Sequence, residues 1–284
     1  QNLFKTNKMK THYLKVRSRH PSHNILRKPN VIHPERKGVK VMAPAVVRLG
    51  STTKVSSKLI QINTIEAVKT SSNKLLMKRA FKKGGINSPK YWEDKNSLLL
   101  EKDIPFPLVA KKIYGSRGNG IVKIKNKKEL TEFLTNSYNS SYYFEKYYRY
   151  LREYRIHVSE MGCFYTCRKM LKTNTPEHLK FVRNNNNCVW FLQSNPKFNQ
   201  PKNWSEITEE CRRALLAVGL DIGACDVRIS ATPDEEGNNY FKIIEINSAP
   251  SFGEKTAEKY MEILPKIVNL KYLIKQVKKH VPDE

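Results

Sequence analysis

Apolar positions recur along this chain with two periods, near 3.6 and 2, and the switches between them predict a mixed α and β protein. Residues 1–40 keep neither period; basic and rich in His, Pro and Asn, they read as an extended arm. From Val39 to Val47 the alternation suits one strand, closed by a turn at Arg48-Leu49-Gly50-Ser51. A helix is predicted over about 72–83, capped by Ser71 or Ser72, with Leu75, Leu76, Arg79 and Ala80 at helical spacing and Gly84-Gly85 as its stop. Pro107–Lys111 enters a glycine-rich loop as a strand, and Ile121–Ile124 leaves it as another. Asn126 with Glu129 three residues on opens a helix to about Thr135. The stretches 142–144, 153–160 and 163–171 read as strands, and a short apolar run at 188–192 interrupts the polar, Asn-rich residues 173–203. Ser205 begins a helix in which Ile207, Cys211, Ala214, Leu215 and Val218 share a face, ended by Gly219. Strands at about 222–230 and 240–246 flank a turn at 233–239. A basic amphipathic helix over about 254–280 then docks Leu264, Ile267 and Leu270 on the core.

Composition narrows the class. Apolar residues at 39% and charged residues at 27% of 284 suit a folded globular chain. There is no run of 18 apolar residues, so no membrane span is expected, and the basic start lacks the apolar stretch of a signal peptide. Five cysteines without CxxC spacing predict reduced thiols in a cytoplasm-like compartment. Residues 1–58 hold 14 Lys and Arg against the single acid Glu35, half of the net charge of +26. That field attracts polyanions, so nucleic acid is one reading for residues 1–58; a solvated lysine-rich surface is the other.

Two features carry chemistry. Glu245 and Asn247 are two apart on an isoleucine-rich strand, so they project from one face, and a carboxylate there needs a partner or a cation. With Asp226 they supply the hard oxygens that Mg²⁺ takes; a hairpin with its acids in solvent is the alternative. Gly115, Gly118 and Gly120 let backbone amides approach a phosphate, with Ser116, Arg117 and Asn119 between them, although a plain glycine-rich turn has the same composition. No GxxxxGK[ST] occurs, and the HRD and DFG elements of protein kinases are absent.

The order of these residues resembles the ATP-grasp superfamily, particularly its carboxylate–amine ligases. The matching stretches are Ser72–Leu75, Pro107–Lys111, the loop 115–120, Phe144–Tyr147, Glu153–Arg155, Gly219–Asp226 and Glu245–Pro250, which together span about 180 residues. Gly50–Thr53 and Ser71–Lys74 also resemble short ATP-grasp proteins encoded by bacteriophages.

The resemblance implies an α+β fold of two subdomains, about 71–147 with the glycine loop and about 148–253 with the magnesium site, clamping ATP. A helix over about 254–280 follows them, and the arm 1–40 and a short segment 41–70 lie in front. It implies that Lys74 and Lys111 hold the α- and β-phosphates and that loop 115–120 closes over the β- and γ-phosphates. Glu145, Lys146 and Tyr147 would border the adenine, and Glu153 would accept from the ribose. Asp226, Glu245 and Asn247 would ligate Mg²⁺, while Arg155 and Arg168 would stabilise the transferring group, with Arg183 as a looser candidate nearby. The implied reaction forms an amide-type bond from a carboxylate and an amine, both unidentified, through an acyl phosphate. The competing expectations are a basic, virion-associated nucleic-acid-binding protein on the same scaffold, and a small-molecule kinase. The position after Lys111, often proline in such relatives, is Lys112, and the front segment is short for a substrate domain.

Overall fold

The computed structural model describes residues 11–15, 31–32, 45–55, 59–115, 118–136, 141–184, 186–251 and 253–280. A parallel sheet comes first: β1 (Thr11–Lys15), β2 (Val31–Ile32), β3 (Ala45–Leu49) and β4 (Ile60–Ile62), in the order β2-β1-β3-β4. All five residues of β3 are buried, as a parallel strand covered on both faces requires. The reading of residues 1–40 as an extended arm therefore fails at β1 and β2. Two- and five-residue strands are too short to establish a period, and the parallel partners that hold them lie 18 or more residues away in the sequence.

Helices α1 (Ile65–Ser72) and α2 (Lys74–Lys83) follow without a linker, so the boundary expected at 71 falls inside α1. The cap of α2 is Asn73, whose side chain accepts from the backbone of Leu75 and Leu76, each at 3.0 Å. Ser71 and Ser72, expected in that role, instead bond back to carbonyls of α1. Gly84 ends α2 as expected.

The second sheet is antiparallel, β5 (Tyr91–Trp92), β8 (Tyr142–Lys146), β6 (Leu108–Lys112) and β7 (Ile121–Ile124) in that spatial order, backed by α3 (Lys95–Leu99) and α4 (Lys127–Asn136). Asn126 accepts from the Glu129 amide at 2.9 Å and the Glu129 carboxylate reaches back to the Lys125 amide at 2.7 Å, the reciprocal start that the sequence signalled.

The third sheet has five antiparallel strands, ordered β11 (Cys188–Leu192), β10 (Gly162–Leu171), β9 (Arg152–Ser159), β12 (Ile222–Pro233) and β13 (Asn239–Asn247). One face packs on α5 (Trp204–Ala217) through Tyr154, Ile156, Ile207, Cys211 and Leu215. The closing helix α6 (Glu254–His280) lays Tyr260, Leu264, Ile267 and Val268 on Ala45, Val47, Leu49 and Ile62 of the parallel sheet. The chain's last helix thus completes its first sheet.

Asn63 locks that unit to the third sheet. Its side chain donates to the carbonyls of Arg48 and Ile222 and accepts from the amides of Asp221 and Ile222. It holds φ = 61°, a left-handed conformation that asparagine tolerates.

Candidate functional site

Strand alternation decides which charges meet. On β9, Glu153 and Arg155 share one face while Tyr154 and Ile156 turn into the core under α5. The β12 residue opposite Arg155 is Asp226, and the β13 residue opposite Asp226 is Glu245. Arg155 grips Asp226 with two hydrogen bonds, 2.8 Å from Nε and 3.0 Å from Nη2. Burial works against the Asp226 charge, but Arg155 outweighs it and holds the carboxyl below its ordinary range. Asn247 donates to Glu245 Oε1 at 3.2 Å. The three oxygen-bearing residues therefore lie together on the β12–β13 ladder. Among the described residues, no group of three or more His, Cys, Asp or Glu forms a metal cage. The set here is two carboxylates and an amide.

Arg168 does not join this face. Its cross-strand partner is Tyr154, and its Nη1 donates to the Lys197 carbonyl at 2.8 Å on the opposite side of the sheet. The neighbouring residue Lys169 takes the expected position, opposite Glu153 with its ammonium 3.3 Å from Oε1. Period-2 geometry corrects the reading by one residue.

Glu153 sits in a cationic cage, with Arg228 at 3.5 Å and Arg183 at 3.9 Å completing it. Burial pushes its pKa up, yet Arg228 and Lys169 bring it below the ordinary carboxylate value. Its Oε2 is buried with no hydrogen-bond donor. Tyr150 is flanked by both guanidiniums, 4.2 Å from Arg228 and 4.8 Å from Arg183 to the ring centre. Nearby, Lys123 lies 4.3 Å from the Tyr147 ring, and Phe181 packs beside the same ring.

A second cluster joins the sheets. Lys111 Nζ is 2.7 Å from Glu145 Oε2, Lys78 Nζ is 3.0 Å from Oε1, and the Tyr143 hydroxyl donates to Oε1 at 2.8 Å. Glu145 is 2% exposed; burial alone would raise its pKa, but Lys111 and Lys78 draw it down to about 2. Burial dominates at Lys78 and lowers it to about 8 against the pull of Glu145. Sequence reasoning missed Lys78. Fully buried, it also donates to Ser88 Oγ at 2.8 Å and to the carbonyl of Ile244 at 3.0 Å, next to Glu245. One ammonium ties α2, β8 and β13 together. The signal was its i, i+4 spacing from Lys74 and its place between Met77 and Phe81 on the apolar stripe.

Lys74 reaches the Gly115 carbonyl from the start of α2. Ser116 and Arg117 lie outside the described residues. Gly118 holds φ = +80°, and a Cβ there would fall 2.2 Å from Val182 Cγ1, so the loop touches the segment before β11 where only glycine fits. The amides of Lys146 and Tyr147 are taken by the carbonyls of Lys90 and Pro107 at 2.9 and 3.0 Å. With the Glu145 carboxylate also engaged, the backbone after it presents an unpaired N–H no earlier than Tyr148.

No family model matches this sequence, and no curated protein matches it. Solved structures do match. D-alanine–D-alanine ligase from Bacillus anthracis complexed with ATP superposes with a TM-score of 0.64 at 14% identity, covering 96% of this chain and 100% of that one. The ATP-grasp ligase PsnB complexed with a minimal precursor gives 0.62 at 11% identity, covering 93% and 99%. N5-carboxyaminoimidazole synthetase from Staphylococcus aureus complexed with ADP gives 0.60 at 12% identity, covering 86% and 71%. Two antiparallel sheets joined at Lys78, a parallel sheet in front of them, and these likenesses along nearly the whole chain establish that it has the ATP-grasp fold.

Proposed function

We propose that the chain is an ATP- and Mg²⁺-dependent ligase that joins a carboxylate to an amine through an acyl phosphate. The observation that carries this reading is the convergence of Arg155, Asp226, Glu245 and Asn247 beside the Lys78–Glu145–Lys111 cluster. Phosphoryl transfer needs positioned charge more than covalent help, and these residues hold charge of both signs, with no Ser-His or Cys-His pair beside them among the described residues.

In this reading Lys74, Lys111 and the amides of loop 115–120 receive the phosphates. Glu145, immobile between two ammoniums, fixes Lys111 in place. The donor-less Oε2 of Glu153 suits a ribose hydroxyl, which supplies the hydrogen bond that its distant cations do not. Lys123, Tyr147 and Phe181 offer a flat surface for the base. Asp226, Glu245 and Asn247 present the hard oxygens that fit Mg²⁺, which when bound would neutralise phosphate charge. Arg155 lies within reach of the same oxygens and steadies the transferring group, with Lys169 supplying the second cation that Arg168 does not.

Support for a ligase over other nucleotide chemistry comes from the neighbours named above, two of them called ligases and one solved with ATP. The nucleic-acid reading has only the charge of residues 1–58, most of which lie outside the described residues. The test is release of ADP and phosphate from ATP and Mg²⁺ across a panel of carboxylates and amines, with amide products identified by mass. Turnover no greater than that of Glu245→Ala throughout the panel defeats the proposal, and a stable phosphorylated product in place of an amide redirects it to a kinase.

A further inference from the structure

The back of the five-stranded sheet, opposite Glu153 and Arg155, holds a cavity of about 530 Å³. Register builds its floor: β10 and β11 set Arg168 against Phe191 and Met170 against Val189. Pro196, Lys197 and Asn199 form a wall. Half of the lining residues are apolar, and the volume lies within the roughly 300–1,000 Å³ of small-molecule sites.

Arg168 is the anomaly in it. The residue is 9% exposed and lines the cavity, its Nη1 donates to the Lys197 carbonyl, and its Nε is buried without an acceptor. Among the described residues no carboxylate lines this cavity or pairs with Arg168. The neighbouring charges are of its own sign, Arg152 and Arg183. Arg152 likewise has a buried Nε without an acceptor, and its Nη1 donates to the Asn199 carbonyl at 3.0 Å. Lys197 adds an ammonium 5.4 Å from the Phe191 ring, and Lys172 also lines the cavity, its ammonium donating to the Asn186 carbonyl. Buried guanidiniums without counter-ions are costly, and an arriving anion removes that cost.

We propose that this cavity binds a small organic anion, one carboxylate or phosphate group on an apolar body. Arg168 receives the charged group, and Phe191, Val189 and Met170 receive the body. The site stands apart from the ligase reading and holds whether or not that reading does.

Met170 makes the test local. With methyl-¹³C methionine, the Met170 resonance is followed during titration with benzoate, phenyl phosphate and uncharged benzyl alcohol, and Met77 in the main core serves as the control. The expected result is a saturable Met170 shift for at least one anion, with affinity about tenfold or more above that of benzyl alcohol. The stronger of the two anions identifies the preferred headgroup. Arg168→Gln should abolish the preference for charge. Val189→Trp, at a position 37% exposed on the edge strand, should block the cavity while leaving Arg168 untouched. No Met170 shift with either anion, equal binding of benzyl alcohol, or full anion binding by a folded Val189→Trp protein would each overturn the proposal.

Discussion

Glu145→Gln probes the cluster on which the front half of the cleft is built. The substitution keeps the shape of the side chain and one acceptor oxygen but removes the charge between two ammoniums at 2.7 and 3.0 Å. Lys78 is fully buried, and even with Glu145 present its pKa falls from 10.5 to about 8, so burial of its charge already costs about 3 kcal/mol. Stripping the counter-charge leaves two buried cations facing each other, a change of about 3–5 kcal/mol. The pH dependence follows from the two shifts. Glu145 has a depressed folded pKa, so its contribution is present above 4.5 and is lost as pH falls toward 2. Lys78 also has a depressed folded pKa, but for a cation this means the penalty is present below 8 and is relieved as pH rises from 8 toward 10.5. Without Glu145 the variant's Lys78 sheds its proton below 8, so the stability gap between wild type and variant is widest above about pH 4.5, begins to narrow before pH 8, and narrows on the acid side as Glu145 is protonated. Urea unfolding at several pH values measures it directly. A loss below about 1 kcal/mol at pH 7, or a gap that does not vary with pH, would refute the claim that this carboxylate is held by a buried pair.

Three further outcomes are expected. Arg155→Ala lowers ATP-dependent turnover by about 10²–10³-fold, whereas Arg168→Ala leaves the turnover number near wild type; equal losses would contradict the assignment of the two residues to opposite faces. Gly118→Ala, at φ = +80° and in collision with Val182 Cγ1, raises the KM for ATP about tenfold, and Val182→Ala partly restores it in steady-state assays. Asn63→Ala removes four side-chain hydrogen bonds, three of them from the parallel-sheet unit to Asp221 and Ile222 at the start of β12, and lowers unfolding free energy by about 2–4 kcal/mol, read from the midpoint of a denaturant curve.

The elements that were legible in the sequence were those with a long period or a chemical cap. Helices α2, α4, α5 and α6 and the β12–β13 hairpin fall within a few residues of expectation, because amphipathic spacing and Gly or Asn signals act locally. Strands β1, β2, β4 and β5 were not legible. Each spans two to five residues, and the contacts that hold it come from distant parts of the chain. The same distinction runs through the site. Glu245 was singled out because an acid on an isoleucine-rich strand is anomalous by itself, and the register then sets Asp226 opposite it. Lys78 was missed because its one local mark, a place between Met77 and Phe81 on the apolar stripe, is faint for one lysine among 52 basic residues. Arg168 was misassigned because strand phase is fixed by the partner: only the pairing of Lys169 with Glu153 tells which neighbour faces the cleft.

Charge is distributed unevenly along the cleft, and that distribution bears on what it can hold. Glu145 is outnumbered by Lys78 and Lys111, and Glu153 by Lys169, Arg183 and Arg228. At the β12–β13 end the excess of cations is smaller: among the described residues Asp226 and Glu245 have Arg155 as their one ion-pair partner, with Lys169 and Lys78 acting from farther off. A bare polyanion suits the first region and meets two carboxylates in the second; a bare divalent cation suits the second and meets the cations of the first. A polyanion carrying a divalent cation is complementary to both. ATP with Mg²⁺ should therefore bind about tenfold or more tightly than ATP in EDTA, measured by calorimetry. Glu245→Gln should shrink that ratio chiefly by weakening the magnesium complex, because it removes repulsion from free ATP and attraction from the metal. A variant whose ratio equals that of wild type would show that Glu245 does not sense the cation, and the polarity of the cleft would then need another explanation.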